Sequence, residues 1–193
     1  MMTAQLVTPN FTRNIYRFTV QQYYLMQEAG VFAKGDRYEL INGEIREMSP
    51  ISKKHAVCVA RLTKNFERKL GDQTIIWTQN PIHLSDQSES QPDLAILKLR
   101  DDFYASALPT PDDILLIIEV ADSTIAYDRD VKAPLYAANG IPELWLFDVN
   151  QQIIEEYSQP SASGYKRMQR YEQGDTLSLL AFPEVIFNWE VLL

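Results

Sequence analysis

The segment from Pro111 to Trp145 holds the feature that most restricts the fold, an unbroken apolar run that ends in an acid. Residues Ile114 to Ile118 are all Ile or Leu, and Glu119 follows them. A short run without polar alternation is typical of a strand that is buried on both faces. Burying an ionised carboxylate costs free energy unless it is paired, protonated or bound to a metal. The run therefore predicts the centre of a sheet and makes Glu119 a candidate functional acid.

Chain length and composition indicate one globular domain without a membrane span. The 193 residues are 46% hydrophobic and 23% charged, which is usual for a globular protein. We expect residues 1–17 to form a flexible arm and residues 18–193 to form a single domain. No apolar run approaches the length of a transmembrane helix, so the sequence does not indicate a membrane protein.

Periodicity, caps and turn residues predict an α/β fold, a mixed sheet with a buried middle and about three helices packed on it. The predicted helices span residues 20–29, 53–70 and 127–139. The predicted strands span residues 38–41, 44–48, 74–79, 82–84, 92–99, 114–121, 143–149, 153–157 and 165–171. Asn42-Gly43 predicts a tight hairpin turn, and SDQSES, residues 85–90, is predicted to be a loop.

Charge and cysteine content limit the environment and the partners. The single cysteine, Cys58, excludes an internal disulfide and favours the reducing cytoplasm. The net charge of −8 disfavours non-specific nucleic-acid binding by the whole surface. Helix 53–70 is the one basic concentration, and a solvated helix face is its simpler interpretation. The alternative is a nucleic-acid site formed by the basic residues Lys53, Lys54, Arg61, Lys64 and Arg68.

Several common catalytic and cofactor-binding motifs do not occur in the sequence. The seven glycines form neither a P-loop nor a dinucleotide-binding fingerprint. There is no GxSxG, CxxC or HExxH, and two histidines, His55 and His83, are too few for a typical zinc site. Cys58 lies in the apolar register of helix 53–70 and is interpreted as a buried hydrophobe. These absences leave oxygen-ligand metal chemistry as the main candidate.

Acids on neighbouring strands supply that chemistry. Asp93 and Glu119 converge if their two strands are adjacent, and paired carboxylates with water suit Mg²⁺ or Mn²⁺. Lys132, on the following helix, could orient a water or stabilise charge that develops on a phosphate. Glu39, on the hairpin, could act as a base or hold a water. A purely structural ion network of these four residues is the alternative explanation.

An ordered set of motifs resembles one known family. The set runs YELINGEI, then Ser49-Pro50 followed by His55, then QPDLAI, and finally EVADST-x3-DRDVK-x3-Y-x3-GIPELW. This order and spacing, over residues 38–149, resembles the Uma2-like family of endonucleases, a branch of the PD-(D/E)xK superfamily. The resemblance implies a restriction-endonuclease-like core, a divalent-metal site and DNA as the substrate.

The resemblance assigns roles residue by residue. Asp93 matches the acid of the PD motif and Glu119 the second acid, so both would hold the metal. The lysine slot two residues after Glu119 is filled by Ala121, and the family pattern moves the lysine to Lys132. Glu39 matches the acid of the opening hairpin. The motif positions His55, Gln91 and Asp128 would support this site from around it, and the D-x3-K spacing suggests that Asp128 pairs with Lys132.

The sequence therefore predicts a Mg²⁺-dependent or Mn²⁺-dependent endonuclease with Glu39, Asp93, Glu119 and Lys132 as catalytic residues. The alternative is a catalytically silent interaction module that keeps the nuclease fold and acts as a homodimer or binds a partner. The apolar C-terminal segment, residues 176–193, is expected to cover the core or to form a homodimer surface.

Overall fold

The computed structural model describes residues 15–33 and 35–193. Most of the arm expected at residues 1–17 therefore lies outside the described residues. None of the described helices combines the length and apolar character needed to cross a membrane.

A six-stranded mixed sheet forms the centre of the molecule, as predicted. Its strand order is β10-β9-β8-β7-β6-β3, and only β7 and β8 run parallel. The strands are β3 (Thr74–Thr78), β6 (Leu94–Lys98), β7 (Ile114–Ala121), β8 (Glu143–Asp148), β9 (Ile153–Ser161) and β10 (Gly164–Tyr171). The apolar run lies on β7, between β6 and β8, and all but one of that strand's residues are buried.

A four-stranded sheet with the order β2-β1-β5-β4 carries the hairpin. The strands are β1 (Tyr38–Ile41), β2 (Glu44–Glu47), β4 (Ile82–Ser85) and β5 (Ser88–Ser90). Asn42 and Gly43 both have positive φ, as the predicted hairpin turn requires. The prediction of a loop over residues 85–90 was correct only for residues 86–87, since Ser85 is the last residue of β4. Ser88–Ser90 forms β5 because these residues pair with both β1 and β4.

Two helices agree closely with the sequence prediction. Helix α1 spans Val20–Glu28 and begins with the predicted capping box of Thr19 and Gln22. Helix α2 spans Lys53–Leu70, and the Ser52 side chain accepts a hydrogen bond from the His55 N–H. Cys58 is buried, as predicted, and burial raises the pKa of its thiol to about 12.

The third predicted helix is divided by a wide turn. It comprises α3 (Ile125–Tyr127), a π-helical turn (Asp128–Lys132) and α4 (Ala133–Ala138). Within the turn, the Ala133 N–H donates to the Asp128 carbonyl, five residues back. Pro134 lies in the first turn of α4, lacks an N–H and would crowd the carbonyl four residues earlier in a regular helix. The wide turn accommodates that proline and lets the helical segment continue.

The C-terminal segment covers the core with a hairpin and a short helix. The elements are β11 (Thr176–Leu179), β12 (Phe182–Asn188) and α5 (Trp189–Leu192). Phe187 is fully buried, stacks on Phe66 of α2 and meets Trp145 of β8 edge-on. Of the two roles expected for residues 176–193, the structure therefore shows the covering of the core.

Candidate active site

A cleft of about 500 Å³ opens beside the ends of β6 and β7. Its walls come from the β1–β2 hairpin, the start of α2 and the π-helical turn. It brings together all seven residues that the sequence proposed for the catalytic and supporting positions, namely Glu39, His55, Gln91, Asp93, Glu119, Asp128 and Lys132. The five basic residues of α2 proposed for nucleic-acid binding do not line it.

The register between β6 and β7 places the two candidate metal ligands opposite each other. Leu94 pairs with Ile118 in this antiparallel pair, so the preceding Asp93 faces Glu119. The Val120 N–H also donates to Asp93 Oδ2 at 2.9 Å, which holds the Asp93 carboxylate against β7. Residues that face each other across an antiparallel pair have neighbouring side chains. The sequence predicted that Asp93 and Glu119 converge if their strands are adjacent, and the pairing of β6 with β7 meets that condition.

Asp93 is held as an ionised carboxylate. His55 Nε2 lies 2.9 Å from its Oδ2, and Gln79 Nε2 donates to Oδ1 at 3.2 Å. Burial raises the pKa of Asp93, but the hydrogen bonds from His55 and the Val120 N–H outweigh that effect. The pKa of Asp93 consequently lies below its usual value. A carboxylate that stays ionised when buried is suited to hold a cation or orient a water.

Glu119 is buried against a lysine and a tyrosine. Its Oε1 accepts hydrogen bonds from Lys132 Nζ at 3.1 Å and from the Tyr136 hydroxyl at 2.5 Å. Burial raises the pKa of Glu119 to about 8, although the charge of Lys132 acts in the opposite direction. Removal from water thus dominates at this carboxyl. Cations that approach the site favour its ionised form.

Lys132 connects Glu119 with the hairpin acid. Its Nζ lies 3.1 Å from Glu119 Oε1 and 3.5 Å from Glu39 Oε2. Burial lowers the pKa of Lys132, but the two adjacent acids raise it more, and the pKa lies well above its ordinary value. Lys132 therefore remains a buried cation at neutral pH. A fixed positive charge of this kind can stabilise negative charge on a phosphate.

Glu39 is fixed by hydrogen bonds from three residues, one at the end of β5, one directly after it and one on α3. Its Oε2 accepts from Ser90 Oγ at 3.3 Å and from the Gln91 N–H at 3.4 Å, and its Oε1 accepts from the Tyr127 hydroxyl at 3.4 Å. The Ser90 hydroxyl also lies 2.8 Å from the Tyr136 hydroxyl. Glu39 and Glu119 are thus joined both through Lys132 and through the Ser90–Tyr136 contact.

Asp128 does not pair with Lys132, contrary to the prediction from their spacing. Within the described part of the chain, Asp128 forms no ion pair within 4.0 Å, and its Oδ2 accepts from the Thr124 hydroxyl at 2.6 Å. The Lys132 ammonium instead turns towards Glu119 and Glu39. Burial raises the pKa of Asp128. Asp128 lines the cleft as an acid with a hydroxyl partner.

Two residues that the sequence did not single out contact the candidate ligands directly. Tyr136, fully buried on α4, is the tyrosine of the K-x3-Y spacing, but the spacing alone does not show which acid it contacts. Gln79 adopts a φ of 51° between β3 and β4, and its amide reaches Asp93. Only the fold reveals the role of Gln79, because its local sequence carries no signal for it.

The donor set fits a hard divalent cation that water and substrate help to bind. Among residues 15–33 and 35–193, no three His, Cys, Asp or Glu side chains are grouped so as to hold a metal. Proteins commonly bind Mg²⁺ through one or two carboxylates together with waters and substrate phosphates. Lys132 and Tyr136 both contact Glu119 Oε1, and no described residue hydrogen-bonds to Glu119 Oε2. Asp93 and Glu119 therefore supply a two-carboxylate donor set.

A second cavity, of about 620 Å³, lies between α1, the β4–β5 hairpin and residues 107–110. Glu89 lies in its wall and accepts a hydrogen bond from the Tyr24 hydroxyl at 2.5 Å. It contains none of the residues proposed from the sequence, so its larger volume does not make it the better candidate for catalysis.

Comparisons with known proteins agree with this fold. A structure described as "a putative nuclease belonging to DUF820", from Anabaena variabilis ATCC 29413, is similar with a TM-score of 0.69 and 15% identity. The similarity covers 86% of this chain and 96% of that chain. At this level of identity it establishes the fold, and it confirms the predicted nuclease-like α/β core. Curated proteins give no match to the sequence.

The sequence profile of the Uma2 family, described as "Putative restriction endonuclease", matches residues 20–190. The match extends from the start of α1 to within α5, so it includes the whole cleft. It confirms the resemblance inferred from the motifs. The chain therefore belongs to the Uma2 family.

Proposed function

We propose that this protein is a nuclease that hydrolyses phosphodiester bonds in DNA with Mg²⁺ or Mn²⁺ as the cofactor. The observation that supports this most directly is the placement of Asp93 opposite Glu119, with the buried cation Lys132 beside Glu119. Family membership supports nuclease chemistry. The metal, DNA as the substrate and the catalytic roles are the proposal.

Each cleft residue has a role in this proposal. Asp93 and Glu119 hold the divalent cation, and with it bound the site gains a charge that polarises a phosphate oxygen and acidifies water. Lys132 donates hydrogen bonds to the oxygens on which charge increases as water attacks phosphorus. Tyr136 fixes Glu119 through Oε1 and leaves Oε2 directed to other partners. Glu39 orients Lys132 and can accept a proton from the attacking water.

A calorimetric titration of Mn²⁺ and Mg²⁺, with plasmid cleavage followed in the same buffers, tests this proposal. We expect the wild type to bind the metal, and we expect Glu119→Gln and Asp93→Asn to weaken binding by at least about tenfold. Lys132→Gln should retain metal binding but lose cleavage. Glu143→Gln is the matched control, because Glu143 is also a buried acid of the central sheet but does not line the cleft.

The second candidate function is a catalytically silent interaction module. One observation favours it, because Lys132 and Tyr136 already satisfy Glu119 Oε1, as a structural ion network would. A folded wild type that binds no divalent cation would support the module and overturn the nuclease proposal. Metal binding without cleavage of any DNA would keep the metal site and reject DNA as the substrate.

A further inference from the structure

One side of the β1–β2 hairpin presents two arginines to the cleft. Arg46 lies directly opposite Glu39 in the hairpin register. Arg37 precedes Glu39 by two residues and its carbonyl accepts from the Met48 N–H at 2.8 Å, so the pairing continues to Arg37. Residues two apart on a strand share a face. Arg37, Glu39 and Arg46 consequently lie on the same face, and all three line the cleft.

The acids of the cleft create a need for these cations. Lys132 is the buried cation of the cleft, and its ammonium already forms ion pairs with both Glu119 and Glu39. Two further buried acids, Asp93 and Asp128, face the same space. With all four acids ionised, Lys132 and a bound divalent cation would offset three of the four negative charges, so a phosphodiester that enters would still meet a net negative charge. Positive groups on the wall must offset this repulsion if a nucleic acid is to bind.

Both arginines are accessible for this task. Arg37 is half-buried, and among the described residues no acid forms an ion pair with its guanidinium. The Arg46 side chain is 47% exposed and contacts Glu44, which also pairs with Arg17. Arg46 pairs with Glu39 in the hairpin register and lines the cleft together with Tyr127, so its charge lies on the Glu39 side of the cleft. A guanidinium presents a fork of donors that matches two phosphate oxygens.

The basic residues in the middle and at the end of α2 lie in a different place, whereas Lys53 and Lys54 are in its first turn and Lys54 Nζ donates to Asn150 Oδ1 at 3.1 Å. Arg61 donates to the Leu193 carbonyl and Lys69 to the Ile186 carbonyl, so this basic surface adjoins the C-terminal segment. Only the start of α2, with Ser52 and His55, reaches the cleft. A nucleic-acid strand bound along Arg61 and Lys69 would thus run beside α5 and β12, away from the acidic residues of the cleft.

We propose that Arg37 and Arg46 form a clamp on the substrate, each binding a backbone phosphate next to the one that is cleaved. This inference rests on the proposed nuclease function and adds to it where the nucleic acid enters. In this proposal the nucleic-acid backbone runs along the β1–β2 hairpin and does not run along the basic face of α2. Arg37 and Arg46 are positioning residues in this proposal, since the reacting phosphate is bound by the groups at the base of the cleft.

The test compares three double variants that each remove two positive charges. Arg37→Gln/Arg46→Gln changes the clamp, Lys64→Gln/Arg68→Gln changes the exposed face of α2, and Lys166→Gln/Arg167→Gln changes the exposed strand β10. Binding to a short fluorescein-labelled DNA duplex is measured by anisotropy over a range of salt, with Ca²⁺ replacing Mg²⁺ to prevent cleavage. Calorimetry with Mn²⁺ and a thermal melt show whether the metal site and the fold survive each change.

We expect the clamp variant to bind the duplex at least about tenfold more weakly at low salt, with a salt slope reduced by about one per arginine. Its KM for cleavage should rise more than its kcat falls, and its Mn²⁺ affinity should equal that of the wild type. Arg37→Lys/Arg46→Lys should recover most of the salt slope because the charges return. The α2 and β10 variants should bind like the wild type.

Three outcomes would overturn the clamp. These are wild-type affinity in the clamp variant, equal weakening in all three variants, and loss of Mn²⁺ binding together with DNA binding. Wild-type affinity would show that DNA binds elsewhere on the protein, and equal weakening would show that only the net charge matters. Loss of both Mn²⁺ and DNA binding would show that the substitutions distort the metal site. A wild type that binds Mn²⁺ but no DNA would instead overturn the nuclease proposal, and the clamp with it.

Discussion

At the scale of single residues, the cleft depends on one buried ammonium shared by two acids. Lys132 lies within 3.5 Å of both Glu119 and Glu39, and all three side chains are buried. Buried ion pairs add little stability compared with apolar packing, but breaking one leaves an uncompensated charge. The arrangement therefore costs the fold stability, which fits the catalytic role proposed for Lys132.

We expect Lys132→Met to destabilise the protein most where Glu119 is ionised. The loss in the free energy of unfolding should begin at about pH 8 and increase towards about 3–5 kcal/mol as the pH rises further, because the pKa of Glu119 lies above about 8 once Lys132 is removed. It should be smaller near about pH 6, because Glu119 can then bind a proton and become neutral. Urea unfolding at the two pH values measures the difference.

Lys132→Met/Glu119→Gln is the control for this prediction, because it removes the buried ammonium together with one of its two acids. Its stability should exceed that of Lys132→Met at high pH. Equal stability of the two variants at every pH would show that the charge of Glu119 is not what Lys132 compensates.

At the scale of elements, the hairpin is positioned by a close approach at its turn. Gly43 has a φ of 74°, and a Cβ built there would lie 2.6 Å from Arg17 Cβ and 2.9 Å from Arg17 Cα. The Phe18 N–H donates to the Gly43 carbonyl at 2.9 Å, which fixes the segment before α1 against the turn. The turn thus requires glycine for its conformation and for its lack of a side chain.

Gly43→Ala should therefore cost more than Gly140→Ala. Gly140 also has a positive φ, of 80°, but a Cβ there would meet no atom within 4 Å. We expect about 1 kcal/mol of destabilisation from strain alone at Gly140 and at least about 2 kcal/mol at Gly43. Thermal or urea unfolding of the two variants tests this. Equal losses would mean that Arg17 moves aside without cost.

At the scale of the whole molecule, a buried acid links the central sheet to the C-terminal segment. Glu143, at the start of β8, accepts hydrogen bonds from the Leu180 N–H at 2.8 Å and from Trp145 Nε1 at 2.7 Å. Burial raises the pKa of Glu143 to about 7, and these two hydrogen bonds only partly counteract it. The fold thus prefers the protonated form of Glu143 more than the unfolded chain does.

This preference predicts a pH-dependent stability. Because the folded-state pKa exceeds the unfolded value near 4.5, the contribution of Glu143 is complete below about pH 4.5 and is lost as pH rises through about 7. Glu143→Gln should reduce the loss of stability between about pH 5 and about pH 8, as measured by urea midpoints. A pH dependence identical to that of the wild type would contradict the assignment.

Particular residues show how far the sequence alone could lead. The apolar run before Glu119, the Asn42-Gly43 turn and the caps at Thr19 and Ser52 are local signals, and each predicts its element correctly. Ser88–Ser90 has no local strand signal and forms β5 because strands on both sides complete its hydrogen bonds. Pro134 lies within the helix predicted over residues 127–139 and leaves the start of that helix ambiguous, and the structure accommodates the proline with a π-helical turn before α4.

The sequence by itself determined the order of the main helices and of the central strands, the family, and seven of the residues that line the cleft, because periodicity, caps and motif spacing are properties of a single chain. Only the tertiary structure decided which groups meet. Strand register places Asp93 opposite Glu119. The path of the helical segment brings Lys132 into ion pairs with Glu119 and Glu39, while Asp128 accepts a hydrogen bond from Thr124. Contacts between residues distant in sequence depend on how the sheets and helices pack, which local patterns do not encode.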